Sequence, residues 1–201
     1  MGRISPLSWT KGTEALKAKT FDIPGVVLIE PDVHRDERGY FLQTYHQEQY
    51  APVGLSRLFV QDNQSSSTKG TLRGLHAQLN RPQGKLIRVL KGTVFDVAVD
   101  ARPDSPGFGR WVSAELSSEN FLQLYVPPGL FHGFCVTSEE AVVSYKCTDF
   151  YDPRDEVGVA WNDPELQIAW PVKNPVLSKR DSGYGGFSEI RARLEAYRGL
   201  K

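Results

Sequence analysis

Apolar and polar positions along much of this chain alternate with a period of two rather than 3.6. In the run Val94-Phe95-Asp96-Val97-Ala98-Val99-Asp100, an extended backbone puts Phe95, Val97 and Val99 on one face and Asp96, Ala98 and Asp100 on the other. Residues 86–90, 111–116, 122–126 and 141–148 have similar length and β-branched or aromatic content, which predicts further strands. Turn residues punctuate them at Lys91-Gly92, Pro103-Asp104-Ser105-Pro106-Gly107 and Pro127-Pro128-Gly129. Spacings of roughly 8–12 residues between such runs, continuing to about Trp170, predict an antiparallel sandwich or barrel. Helical periodicity is strong only near the end. There Ser188 is placed to cap a helix from 189 to about 198, within bounds of 187–199, with Ile190, Leu194 and Tyr197 on one face. Segment 181–186 reads as loop, and residues 47–50 as a short helical turn. The expectation is one all-β domain over residues 1–201, with 1–18 as an N-terminal extension.

Composition narrows the classes of function. At 201 residues and 40% hydrophobic, the chain can bury a substantial core. Its 24 basic residues balance 24 acidic ones, which argues against a general nucleic-acid or anionic-membrane binder. No apolar run is long enough to span a bilayer, and the polar first residues lack the apolar centre of a signal peptide. Cys135 and Cys147 are too few for a disulfide framework and sit among apolar residues, as buried free thiols of a cytoplasmic protein would.

A sandwich of this size has room for a small ligand, and polar side chains facing its interior are costly unless they bind something. The densest polar cluster is Phe59-Val60-Gln61-Asp62-Asn63, followed by Thr71-Leu72-Arg73-Gly74-Leu75-His76-Ala77-Gln78. Gln61 and Asn63 share a strand face with Phe59. Arg73 and His76 have opposite parity and converge only if Gly74 marks a bulge or one of them lies past the strand end. The alternative is a polar outer face with a hydrogen-bonded histidine. Lys85 enters an apolar strand, either as a solvated edge charge or, facing inward, as a cation placed for a developing oxyanion. Tyr145 is either packing or an inward phenol. Asp163, in Trp161-Asn162-Asp163-Pro164, reads as structural, in a turn that packs the C-terminal segment onto the sandwich. Asp181 lies just outside the sandwich, where a carboxylate could orient a histidine.

Pro128-Gly129 with His132 three residues after the glycine fits the second motif of cupins, where that histidine is a metal ligand. The first cupin motif needs two histidines and a glutamate. Here it reads His76-Ala77-Gln78 with no acidic residue before Lys85. Two imidazoles alone rarely hold a metal. The fold therefore reads as a cupin-like jelly-roll sandwich or barrel without a metal site.

Taken in order, these landmarks resemble the dTDP-4-dehydrorhamnose 3,5-epimerase family from about Phe21 to Asp181. They begin with Asp36-Glu37-Arg38-Gly39-Tyr40-Phe41 and include the Gln61, Arg73–His76, Gln83-Gly84-Lys85-Leu86, Pro128-Gly129–His132, Tyr145-Lys146 and Trp161–Pro164 clusters. The resemblance implies a metal-free, cofactor-free isomerase that is usually a homodimer and takes a dTDP-linked 4-keto-6-deoxy sugar in deoxysugar or rhamnose biosynthesis. It implies that His76 is the base, Asp181 its orienting partner and Tyr145 the acid on the opposite face, and it puts Lys85 in the substrate site, where the chemistry makes it the cation for the enolate oxygen. It places Arg38, Gln61, Asp62, Asn63, Arg73, His132 and Glu156 in the substrate site, with Arg38 reaching the neighbouring subunit's site. Three positions depart from the family. Gln43 replaces the usual glutamate and Arg180 a frequent lysine, both among the binding positions. Phe150 stands where tyrosine is common, at a position expected near the sugar.

The chemistery of such a reaction suits these side chains. A proton beside a ketone leaves an enolate when removed, and inversion needs a base below the ring and a donor above it. Histidine has the right basicity, a carboxylate fixes its tautomer, and a phenol is protonated at neutral pH. Rival readings are an epimerase acting at C3 alone or C5 alone, a metal-dependent cupin enzyme, and a non-catalytic sugar-nucleotide binder.

Overall fold

The computed structural model describes residues 16–196 of the chain. Two antiparallel sheets dominate it. The first has six strands in the order β1 (Lys17–Thr20), β2 (Val27–Glu30), β10 (Gln123–Val126), β7 (Lys85–Lys91), β12 (Glu140–Cys147) and β5 (Gln61–Thr68). The second has five, in the order β13 (Glu156–Gly158), β6 (Leu72–Gln78), β11 (Leu130–Val136), β8 (Thr93–Asp100) and β9 (Trp111–Ser117). β3 (Val33–Asp36) and β4 (Gly39–Leu42) form a separate hairpin. The result is the all-β sandwich expected from the alternation, with the cupin-like form expected from the Pro128-Gly129–His132 motif. Among the described residues, no helix is long and apolar enough to cross a membrane.

Apolar residues form three layers. The space between the sheets holds Ile87, Val89, Val94, Ala98, Leu116, Leu124, Phe134 and Val143. The outer face of the five-stranded sheet, with Val97, Val99 and Phe131, is covered by α2 (Phe187–Ala196) through Phe187, Ile190 and Leu194. The outer face of the six-stranded sheet packs Ile29, Leu86 and Tyr125 against Tyr50 and Leu55, around the short α1 (Gln47–Tyr50). With both faces of the five-stranded sheet covered, β11 is buried at every residue and β8 at nearly every one.

Three expectations change. Alternation in β8 separates two faces correctly, but neither meets solvent: Asp96 and Asp100 are fully buried on the inner side. The extension is shorter than residues 1–18, because Lys17 and Ala18 already pair with β2 and Ala18 is buried. α2 begins at Phe187, so Ser188 lies inside the helix rather than capping it. The capping acceptor comes from far away in sequence. Asp163 Oδ2 accepts the Phe187 N–H at 2.9 Å, and its Oδ1 accepts the N–H groups of Glu165 and Leu166. Tyr197, assigned to the helix face, lies outside the described residues. Segment 181–186 is loop except for a 3₁₀ turn over Asp181–Gly183.

Candidate active site

One end of the space between the sheets is polar rather than apolar. On β5, side chains alternate so that Gln61, Asn63 and Ser65 turn inward, while Asp62 and Gln64 are exposed. On β7, Lys85 is two residues before the core residue Ile87 and shares its face. Tyr145 follows Val143 on β12 in the same way. The opposite sheet contributes Arg73, His76 and Gln78 from β6, His132 from β11 and Glu156 from β13. Together with Gln83, Tyr151 and the segment from Ser178 to Asp181, they enclose a cavity of about 640 Å³, a size suited to a small-molecule site.

A bulge brings Arg73 and His76 to the same cavity. Opposite β11, His76 pairs with His132 and Arg73 with Phe134, so three steps along β6 face two along β11. Gly74 absorbs the extra residue with φ +120°. A Cβ there would lie 2.5 Å from the Gly133 Cα, so the close crossing of the two strands requires glycine.

His76 projects from β6, and its Nε2 lies 2.5 Å from Asp181 Oδ1. The carboxylate is buried. Burial works to raise its pKa, but the hydrogen bond and charge of His76, with the Ser178 hydroxyl and backbone, outweigh it and hold the carboxyl below its ordinary value. With Nε2 engaged by Asp181, Nδ1 is the ring nitrogen left to accept a proton. Tyr145 stands on the other sheet. Burial pushes its phenol up to about 12, which keeps it protonated at neutral pH. Burial lowers the pKa of Lys85, with Cys147, Glu156 and Asp96 working the other way. Arg180 Nη1 donates to Glu156 Oε1 at 2.5 Å and to the Tyr151 hydroxyl at 3.0 Å.

Thirteen positions were named from sequence, and ten line this cavity: Gln61, Asn63, Arg73, His76, Lys85, His132, Tyr145, Glu156, Arg180 and Asp181. Three do not. Asp62 faces outward by strand alternation and takes an ion pair from Lys146 at 3.0 Å. Arg38 sits in the β3–β4 turn, with its side chain 85% exposed and paired to Asp36. Gln43, just past β4, lines a separate groove with His34, Phe41 and Tyr50. Phe150 is exposed beneath the Arg81 guanidinium, and its neighbour Tyr151 lines the cavity instead.

Sequence reasoning missed two partners. Asp96 is fully buried, and both its oxygens lie within 3.0 Å of His132 Nε2, forming a second imidazole–carboxylate pair. An acid alternating with apolar residues in a central strand was the available signal. Ser65 continues the parity of Gln61 and Asn63, and its hydroxyl is buried without a partner among the described residues. Among those residues, no three His, Cys, Asp or Glu side chains are grouped to hold a metal ion. Both cysteines are buried and free.

Comparison with known proteins places this geometry in context. The family described as dTDP-4-dehydrorhamnose 3,5-epimerase matches residues 20–189. The chain is 52% identical over 162 residues to the dTDP-4-dehydrorhamnose 3,5-epimerase of Shigella flexneri, covering 80% of this chain and 90% of that one. It is 45% identical over 165 residues to the enzyme of the same description from Methanothermobacter thermautotrophicus, covering 81% and 89%. In structure it is similar to the Legionella pneumophila dTDP-6-deoxy-D-glucose-3,5-epimerase solved in complex with dTDP-4-keto-L-rhamnose. That match has a TM-score of 0.86 and 45% identity, covering 89% of this chain and 96% of that one.

Proposed function

The chain belongs to the dTDP-4-dehydrorhamnose 3,5-epimerase family, and from that premise we propose that it inverts C3 and C5 of dTDP-4-keto-6-deoxy-D-glucose to give dTDP-4-keto-L-rhamnose. The observation that carries this reading is the meeting of His76 and Tyr145, from opposite sheets, and Asp181, from the C-terminal segment, around one cavity.

His76 Nδ1 takes the proton from a carbon beside the ketone, and the C–H electron pair passes into an enolate whose oxygen gains the negative charge. Asp181 supports the imidazolium that forms. Lys85 is the cation for the enolate oxygen. Tyr145 returns a proton to the same carbon from the other face, and solvent exchange resets both groups. Each half-reaction moves one proton off and one on, so atoms and electrons balance without an oxidant or reductant. Arg73, Asn63 and Gln61 supply donors for the sugar and diphosphate, and Arg73 suits phosphate oxygens through its planar fork.

The proposal extends to a homodimer. Arg38 does not line its own chain's cavity and sits at the tip of a hairpin that leaves Tyr40 and Phe41 exposed. Seating that hairpin on a second copy would bury those rings and put Arg38 in the neighbour's site.

The deciding experiment incubates the protein with dTDP-4-keto-6-deoxy-D-glucose in deuterated water. Deuterium is expected at C3 and C5 of a product with the L-rhamno configuration by NMR, and none above background with His76→Asn. Exchange undiminished in that variant would remove His76 as the base. Deuterium at one carbon alone would make the protein a mono-epimerase.

A further inference from the structure

Tyr184 is outside the cavity lining, yet it touches the group on which the proposed chemistry depends. Its ring centroid lies 5.6 Å from that of His76, with the planes at 66°, an edge-to-face contact. Its hydroxyl donates to Glu156 Oε1 at 3.0 Å, the oxygen that also accepts from Arg180. Gly158 pairs with His76 across β13 and β6, and a Cβ at Gly158 would come within 2.4 Å of the Tyr184 ring. The backbone beside the imidazole is therefore cut back to glycine where this ring enters. Tyr184 is also three residues beyond Asp181, at the end of the turn that carries the carboxylate.

We infer that Tyr184 is a positioning residue for the base: its ring forms a wall against the His76 imidazole, and its hydroxyl ties the Asp181 segment to β13 through Glu156. This rests on the reading that His76 is the base. Glu156 is well suited as the anchor. Burial works to raise its pKa, but nearby His76 and the hydrogen bonds from Arg180 and Tyr184 outweigh it, so the carboxyl stays ionised as an acceptor. Two elements that meet at His76, the strand β13 and the 178–184 segment, are thus joined by one phenol. Without the ring the imidazole gains a direction in which to turn, and the Nε2–Asp181 contact is no longer held in register. Proton abstraction is sensitive to such a shift, and a displacement of about 1 Å can cost on the order of 100-fold in rate.

The test compares Tyr184→Leu, which removes ring and hydroxyl, with Tyr184→Phe, which keeps the ring. Tyr184→Leu is expected to lower kcat for exchange by about 100-fold with KM within about twofold, and Tyr184→Phe to regain about tenfold of that, ending about tenfold below wild type. The ¹⁵N spectrum of His76 should show one neutral tautomer in wild type and a mixture in Tyr184→Leu. Unchanged kcat, or a loss confined to KM, overturns the inference, as does a Tyr184→Phe variant no better than Tyr184→Leu. If Tyr184→Leu does not fold, Tyr184→Phe decides: a wild-type kcat and an undisturbed His76 tautomer defeat the inference. Failure of the underlying reading looks different, because wild type itself would then give no exchange or His76→Asn would leave it intact.

Discussion

The Nε2 of His76 and the Oδ1 of Asp181 meet at 2.5 Å although 105 residues separate them in the chain. One belongs to the inner wall of the sandwich and the other to a 3₁₀ turn laid against it from outside. Replacing Asp181 by Asn keeps the shape but reverses the tautomer preference of the imidazole. kcat for deuterium exchange is expected to fall by about 10³–10⁴-fold, as for a triad whose carboxylate is amidated, with the fold intact by circular dichroism.

The same carboxylate shapes acid stability. Its pKa is depressed in the folded protein, so its contribution is fully present above the ordinary value of 3.8 and is lost as pH falls through the lower folded value. Melting temperature measured across the acid limb should therefore fall less steeply in Asp181→Asn than in wild type. Parallel curves would show that the pair adds nothing to stability.

Tyr145 should separate proton removal from inversion. Tyr145→Phe retains the base and the cavity wall, so exchange at the abstracted position continues while the inverted product falls by about 10²-fold or more. An unaltered inversion rate would give the donor role to another group.

Arg38 offers a test by mixing. Arg38→Ala and His76→Asn proteins should each be weak alone. If Arg38 serves the neighbouring site, random exchange between two-fold dimers restores about a quarter of wild-type activity, because half the dimers are hybrids with one intact site each. No recovery after verified subunit exchange would place Arg38 outside the partner's site.

Asp163 governs stability rather than chemistry. Its carboxylate satisfies three backbone N–H groups, including one at the start of α2. Asp163→Ala is expected to cost about 2–3 kcal/mol in urea unfolding, while KM for the sugar nucleotide stays unchanged.

Legibility in the sequence followed the range of the interactions involved. Parity in β5 placed Gln61 and Asn63 together, and opposite parity at Arg73 and His76 left either a bulge at Gly74 or a residue past the strand end, of which the bulge is present. Both depend on neighbours a few residues apart. Alternation in β8 could divide Asp96 from Val97 but not say which face looks inward, since that depends on α2 covering the apolar side. The placement of Asp181 beside His76 came from motif resemblance, because no local pattern links residues so far apart. Tyr184 carried no signal: a tyrosine in a glycine-rich loop looks like surface until the missing Cβ of Gly158 shows where its ring goes.

Because Asp181 is contributed from beyond the last strand, the imidazole–carboxylate pair forms only when the segment after β13 lies against β6. The sandwich strands through β12 supply His76, Lys85 and Tyr145, but the carboxylate that pairs with the first comes from outside them. On the proposed mechanism, an incompletely docked C-terminal segment would leave the imidazole in place but without the carboxylate that orients it.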